Sequence, residues 1–305
     1  MKKSFTLIEL IFTIVILSII GVISAQILSK LYEEYVVTRT INRLQSKTEL
    51  ILDLIAKRLQ YRIKEATIAR MLPPNDTTIT SLSDANDSYE ILEWIGYDNG
   101  GFKGYYSSSK QRVVPGWSGF VDLYSSETNK TQIKTPGSDL NITNNIVKSI
   151  SDSSVSLIDS NIGLIFKGMQ AGFDIYQYGW NCFSEPNPSN CVNRSYVYDA
   201  KCPVSGCSNI LEVNPIFSGK EITEQYYLAW SAYAIVPQNN KLILYYNYRP
   251  WKGDKYSDGK SSIIAKNLSV FRFRQIDQVI RLKICLYKEI TNDYNLSFCK
   301  EKVVY

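Results

Sequence analysis

The sequence contains no histidine in 305 residues. That absence removes Ser-His-Asp and Cys-His nucleophile systems, imidazole-ligated metals and any histidine pH switch. No enzyme activity is expected, because 29 acidic residues supply carboxylate pairs by chance and no nucleophile motif accompanies them. A large excess of charge of one sign is also lacking. The 34 Lys and Arg exceed the 29 Asp and Glu by a formal +5, too little to imply nucleic acid by itself. Between Phe5 and Leu72 there is no proline and one glycine, Gly21, and from Leu10 to Ser29 no charged residue occurs. A content of 45% hydrophobic residues argues against global disorder and is enough for a real core. The 22 tyrosines and an even six cysteines point to a β-rich domain completed outside the cytoplasm.

At about 1.5 Å per residue, Leu10 to Ser29 reaches roughly the 30 Å of a bilayer's hydrocarbon core. Lys2 and Lys3 precede it, while Glu33 and Glu34 follow Lys30. The positive-inside bias therefore places the N-terminus in the cytoplasm and the body across the membrane. Three readings of this segment compete. It is a secretory signal cut near Ser24 and Ala25, or an uncleaved anchor, or a segment with a further task. Neither of the first two explains Glu9, since an ionised carboxylate in hydrocarbon costs a few kcal/mol. The bland account of Glu9 is that it snorkels to the headgroups or pairs with Lys3.

The run Lys2-Lys3-Ser4-Phe5-Thr6-Leu7-Ile8-Glu9-Leu10 resembles the cleavage and methylation motif of the type IV pilin-like superfamily, which includes type IV prepilins and type II secretion pseudopilins. The resemblance implies that prepilin peptidase cuts between Ser4 and Phe5 and methylates the new Phe5 amine. Glu9 then meets the N-terminal amine of a neighbouring subunit, which offsets its burial and sets register. The family usually carries Gly before the cut, where this chain has Ser4. A Tyr-rich strand around Leu242–Tyr246, followed by Leu268–Arg274, more loosely resembles the J-type pseudopilin and W-type minor pilin. The implied protein is a minor pilin or pseudopilin that initiates or caps a type IV pilus, a type II secretion pseudopilus or a competence pseudopilus. Its partners are other pilin or pseudopilin subunits, prepilin peptidase, the inner-membrane assembly platform and membrane lipid. Its place is the bacterial inner membrane with the C-terminal domain in the periplasm, and then the filament tip.

The expected fold is α+β, with a long N-terminal helix packed on an antiparallel β domain. The divisions are a leader at 1–4, a transmembrane half-helix at 5–29, an amphipathic half-helix at 30–72 and a β-rich body at 75–305. Leu52, Ile55, Leu59, Ile63 and Ala66 recur at helical steps and define the buried stripe. Strands are expected near Tyr89–Tyr97, Gly119–Tyr124, Ser154–Ile158, Gly163–Phe166, Ser195–Tyr198, Tyr226–Val236 and Lys241–Tyr248. A second hairpin, Leu268–Arg274 with Val279–Lys288, closes near Asp277. There Arg272, Arg274, Arg281 and Lys283 alternate outward as a solvated face. Residues 125–160, rich in Ser, Thr, Asn and Asp, read as a loop insertion with little core, and residues 179–209 as a Cys-rich lobe.

The simplest cysteine pairing joins sequence neighbours: Cys182 with Cys191, Cys202 with Cys207 and Cys285 with Cys299. The alternative is a zinc site from the first four, which lacks Cys-x2-Cys spacing. Seven Asn-x-Ser/Thr sequons occur, at Asn75, Asn86, Asn129, Asn141, Asn193, Asn267 and Asn295. Four of them, Asn86, Asn129, Asn141 and Asn295, carry an acid two residues earlier, where chance would give fewer than one. This extended form resembles the acceptor of bacterial N-glycosylation; turn chemistry in Asp- and Asn-rich loops is the competing explanation. Some pseudopilins use calcium, and Asp84, Asn86, Asp87 and Glu90, or Asp254 and Asp258, offer oxygens, but neither group matches an EF-hand. They read as solvated turns, and no cofactor is expected. Lys252, Lys255 and Lys260 beside Tyr248, Trp251 and Tyr256 suit either single-stranded DNA at a filament tip or a lysine-protected sheet edge.

Overall fold

The computed structural model describes residues 6–159, 162–168, 175–182, 196–204, 206–217, 222–291 and 294–305. Helix α1, Leu7–Leu59, opens the chain, and antiparallel sheets follow it, so the α+β class holds. The largest sheet runs, edge to edge, β13 (Lys260–Lys266), β12 (Lys241–Tyr248), β11 (Ser231–Gln238), β3 (Tyr89–Gly96), β1 (Arg62–Met71) and β2 (Ile79–Ser81). A second sheet has the order β10 (Tyr226–Ala229), β7 (Ile162–Phe166), β8 (Val197–Lys201), β9 (Ile210–Asn214) and β6 (Gln132–Lys134). A third consists of β14 (Leu268–Ile276), β15 (Val279–Thr291) and β16 (Tyr294–Val304), and a small hairpin pairs β4 (Tyr105–Ser107) with β5 (Arg112–Val114). Two further helices are α2, Asn99–Lys103, and α3, Leu140–Ile150.

The six-stranded sheet is covered on both faces. On one, Leu92 and Trp94 of β3 and Ile235 of β11 meet Leu52, Ile55 and Leu59 of α1 together with Leu282, Ile284 and Leu286 of β15. On the other, Ile91, Ile95, Ala232, Ala234 and Val236 pack with Ile165, Ala229 and Trp251. Alternate residues therefore serve two cores, which is why these strands are rich in apolar residues on both faces. The second sheet closes a third core with α3, around Trp117, Leu164, Phe166, Phe217, Tyr226 and Leu228.

Turn chemistry places the hairpins. Asn239 and Asn240 take φ of 50° and 56° in the two-residue link from Gln238 to Lys241, as a primed turn requires. Asp277, at φ 54°, closes β14 against β15. There Arg272 sits opposite Lys283 and Arg274 opposite Arg281. Their neighbours Phe271, Ile280, Leu282 and Ile284 are buried, giving the outward cationic face.

Four expectations are corrected. First, the helix stops at Leu59, and 62–71 is strand β1. Ile63 and Ala66 fit a helical stripe, but a strand buried on both faces satisfies the same residues, and β-branched Thr67 and Ile68 favour it. The reversal needs no glycine because the Arg62 guanidinium donates to the Leu59 carbonyl at 2.9 Å, satisfying an orphan of the helix end. Second, residues 125–160 are not a coreless insertion: Ile133, Leu140, Val147, Val155 and Leu157 are fully buried, spaced too sparsely among polar residues to stand out in the sequence. Third, Gly119–Tyr124 and Ser154–Ile158 are not strands. Phe120 makes one isolated bridge to Gln225, and Val155 to Leu157 is buried chain without a ladder. Fourth, Tyr226–Val236 is two strands in different sheets, divided at Trp230.

Candidate functional site: the N-terminal helix and its docking

Thr6 stands at the N-cap of α1 in an extended conformation. One oxygen of Glu9, Oε2, accepts both the Thr6 backbone N–H at 3.0 Å and the Thr6 hydroxyl at 2.9 Å. The carboxylate thus lies in the first turn, where it satisfies an orphan donor and favours the positive end of the helix dipole. From Thr6 to Tyr35 every residue is exposed, although the stretch is apolar enough to cross a membrane. Two of its interior hydroxyls bond within the helix, Thr13 on the Leu10 carbonyl and Ser18 on the Ile14 carbonyl, each at 2.8 Å. Such internal pairing is what lipid demands. Among the described residues there is one helix long and apolar enough to span a membrane, which fits membrane anchoring.

The other end of the same helix is held firmly. Leu44, Thr48, Ile51, Leu52, Ile55, Ala56 and Leu59 are buried at three- and four-residue steps. Flanking them, Glu49 pairs with Lys300 at 2.8 Å and Asp53 with Lys302, both lysines on β16. The Lys302 hydrogen bond is the main cause holding the Asp53 carboxyl below its ordinary pKa. Arg58 lies over the Tyr233 ring, 5.5 Å from its centroid, and Arg62 joins the helix end to the Tyr305 carbonyl at 3.1 Å. Helix end, first strand and C-terminus thus meet at one guanidinium.

Behind this docking lies a buried polar cluster that sequence reading missed. Arg70 of β1 forms an ion pair with Glu93 of β3, with side chains 3% and 1% exposed. The second Glu93 oxygen accepts the Tyr248 hydroxyl at 2.9 Å, while Arg70 donates to the Asp76 carbonyl at 2.5 Å and to Asn181 at 2.7 Å. The one available signal was polar residues inside otherwise apolar strand segments. Asp98 is a second buried carboxylate. Its Oδ1 accepts the Gly101 N–H at 3.0 Å at the start of α2, and burial raises its pKa to about 6.

The remaining sequence-nominated residues fall as follows. Ser4 and Phe5, the processing pair, lie outside the described residues. So do Cys191 and Asn193. Cys202 is bonded to Cys207 and Cys285 to Cys299, and Cys182 is disulfide-bonded. The Cys202–Cys207 bridge rules out the four-cysteine zinc site, and the bridges indicate an oxidising compartment. No cluster of metal-ligating side chains occurs among the described residues. Asp254 accepts from Arg249 and Asp258 from the Lys255 N–H, which marks turns. The proposed DNA platform is closed: Tyr248 and Trp251 are 1% and 2% exposed, too buried to stack on bases. Lys252 there pairs with Asp199 at 2.5 Å and Lys260 with Asp152 at 3.3 Å. The sequons Asn86, Asn129 and Asn295 are exposed, Asn86 and Asn129 in turns and Asn295 on β16; Asn141 lies on α3. No family model, curated protein or solved structure matches the chain.

Proposed function

We propose that the chain is a minor pilin or pseudopilin subunit, inserted in the bacterial inner membrane by α1 with its β body in the periplasm. Prepilin peptidase trims it before Phe5, and an assembly platform adds it to other pilin or pseudopilin subunits, where it initiates or caps a filament. The observation that carries this reading is one continuous helix with unlike halves. Leu7 to Tyr35 is wholly uncovered, yet the same helix is embedded in the β core from Leu44 to Leu59. A cleaved secretory signal has no reason to continue unbroken into the core of the mature domain. The Lys2–Leu10 motif and the carboxylate of Glu9 add the likeness to the superfamily. In a filament, the uncovered half exchanges lipid for neighbouring helices and stays out of water.

N-terminal peptide mass spectrometry on protein from its native cells tests this. The expected first residue is an N-methylated Phe5; a chain beginning at Met1 or Gln26 overturns the reading. Glu9→Leu is expected to abolish incorporation into filaments while the Cys285–Cys299 bridge still forms, and normal incorporation of that variant would count decisively against an assembly role.

A further inference from the structure

We propose that the folded protein is an acceptor of N-linked glycans at two sites, Asn86 and Asn129. The starting point is the excess of acids two residues before the sequon asparagines. In an extended segment, residues i−2, i and i+2 project to the same side. An acid, an asparagine and a hydroxyl residue in that spacing therefore present a carboxylate, an amide and a hydroxyl along one edge, which an enzyme groove can read together.

The structure separates the four acid-bearing sequons. Asn141 is in the first turn of α3, and its partner Thr143 is 0% exposed, so that edge is closed once the chain folds. Asn295 sits within β16, opposite Glu289, with its backbone held in a ladder. Asn86 and Asn129 differ from both. Asp84, Asn86 and Ser88 are all exposed in the link between β2 and β3. Asn129 and Thr131 are exposed in the turn ahead of β6, with Glu127 half-buried. At Asn129 the amide oxygen accepts both the Thr131 N–H and the Thr131 hydroxyl at 2.8 Å each. No bond of the amide nitrogen occurs among the described residues. At Asn86 the amide oxygen accepts the Ser88 N–H at 2.9 Å, and again no bond of the amide nitrogen occurs among the described residues. Around Asn86 the backbone makes two turn bonds, from the Asp84 N–H to the Ser81 carbonyl and from the Tyr89 N–H to the Asn86 carbonyl. At Asn129 the N–H reaches the Gln132 carbonyl, and the Lys130 and Thr131 carbonyls accept from the Phe217 and Val213 N–H groups. The Asn86 segment therefore opens into an extended acceptor at smaller cost than the Asn129 turn.

The donor is a sugar linked to a lipid diphosphate. The asparagine Nδ2 forms a bond to the anomeric carbon, and the bond from that carbon to the diphosphate oxygen breaks. Its electron pair leaves on the lipid diphosphate, and one amide proton passes to a base of the transferase. The disulfides put the β body in a compartment where such transfer occurs on exported chains.

The test is glycopeptide mapping of the full-length protein, extracted in detergent from its native cells. The expected result is one common added mass on Asn86 and on Asn129, with Asn141 bare. Asn86→Gln and Asn129→Gln are each expected to remove one increment, and Glu127→Gln to lose the increment at Asn129 alone. Bare Asn86 and Asn129 in protein whose Cys285–Cys299 bridge has formed would overturn the proposal, because that bridge reports arrival in the oxidising compartment. Equal occupancy of Asn141 would overturn it too, since acceptance would then ignore the fold. Neither readout depends on where the N-terminus is cut, so this proposal and the filament reading fail separately.

Discussion

The buried Arg70–Glu93 pair gives the sharpest quantitative expectation. Both side chains are almost wholly inaccessible, and Glu93 also accepts the Tyr248 hydroxyl. Glu93→Gln keeps the shape of the side chain but leaves the Arg70 guanidinium without its counter-charge in a desolvated site. Removing one partner of such a pair costs about 3 to 5 kcal/mol. Arg70→Met leaves Glu93 unpaired and additionally strips donors from the Asp76 carbonyl and Asn181, so its loss is expected at the upper end. The double variant removes both charges, and its loss is expected to fall well short of the sum, with a coupling of about 2 to 3 kcal/mol, as contacting residues show. The assay is thermal unfolding of the detergent-solubilised chain followed by near-ultraviolet dichroism. At about 2 to 4 °C per kcal/mol for a domain of this size, Glu93→Gln lowers Tm by roughly 6 to 12 °C or more. A shift under about 2 °C, or simple additivity in the double variant, would refute the claim that this pair ties β1, β3 and β12 together as a desolvated unit.

Three further expectations follow from burial and linkage. Asp98 is held at a pKa of about 6 by burial, above the value of about 4 in the unfolded chain. The folded state therefore keeps a proton the unfolded state has lost, and stability falls as pH rises from about 4 to 6 and levels off above; Asp98→Asn should flatten that slope in denaturation midpoints measured between pH 4 and pH 7. The Cys285–Cys299 bridge, with 14 residues of separation, should contribute about 3 kcal/mol and the shorter Cys202–Cys207 bridge about 2 by loop-closure entropy, which paired serine variants read in chemical denaturation. On the docked half of α1, Ile55→Ala is expected to lose about 2 to 5 kcal/mol. Lys302→Ala loses under about 1 kcal/mol because its partly exposed pair is screened by solvent; the order of the two in melting experiments checks that apolar burial fixes the helix.

Much of this architecture was legible because single signals dominated locally. An apolar run without Pro or charge, and with Gly21 as its one glycine, makes Leu10 to Ser29 a helix whatever the rest does. Asn239–Asn240 and Asp277 mark hairpins by their tolerance of positive φ. Where two structures satisfy one pattern, the sequence was silent. Ile63, Ala66 and Thr67 fit an amphipathic helix or a doubly buried strand, and only pairing of β1 with β3 decides. Ala229 ends one strand and Ser231 begins another, with Trp230 between them and no breaker residue; the Ser231 hydroxyl donates to the Ala232 carbonyl and accepts from the Asn247 N–H at this transfer between sheets. Helix α3 hid for the opposite reason: its buried stripe of Leu140, Thr143, Asn144 and Val147 is half polar. At the candidate site, Glu9 stood out because a charge in an apolar run costs free energy, whereas Arg70 and Glu93 did not. Their neutralising contact spans 23 positions and exists only in three dimensions.

The unlike halves of α1 also constrain the assembly role proposed for the chain. From Leu7 to Tyr35 the helix exposes more than a dozen large apolar side chains, each worth about 1.5 to 3 kcal/mol when withdrawn from water. That total exceeds the whole stability of an ordinary domain, so this half always lies in lipid or among other helices. The docked half does not need that environment. Its apolar stripe is already covered by β3, β11 and the third sheet, and Arg62 fastens the point where helix, β1 and the C-terminus converge. Force applied along the uncovered half is therefore delivered through one continuous helix into the core in which its other half is packed. The Thr6–Glu9 cap lets the helix begin without help from any neighbour. In the proposed role, moving the chain from membrane to assembly requires exchange of one apolar surrounding for another, with no refolding of the β body.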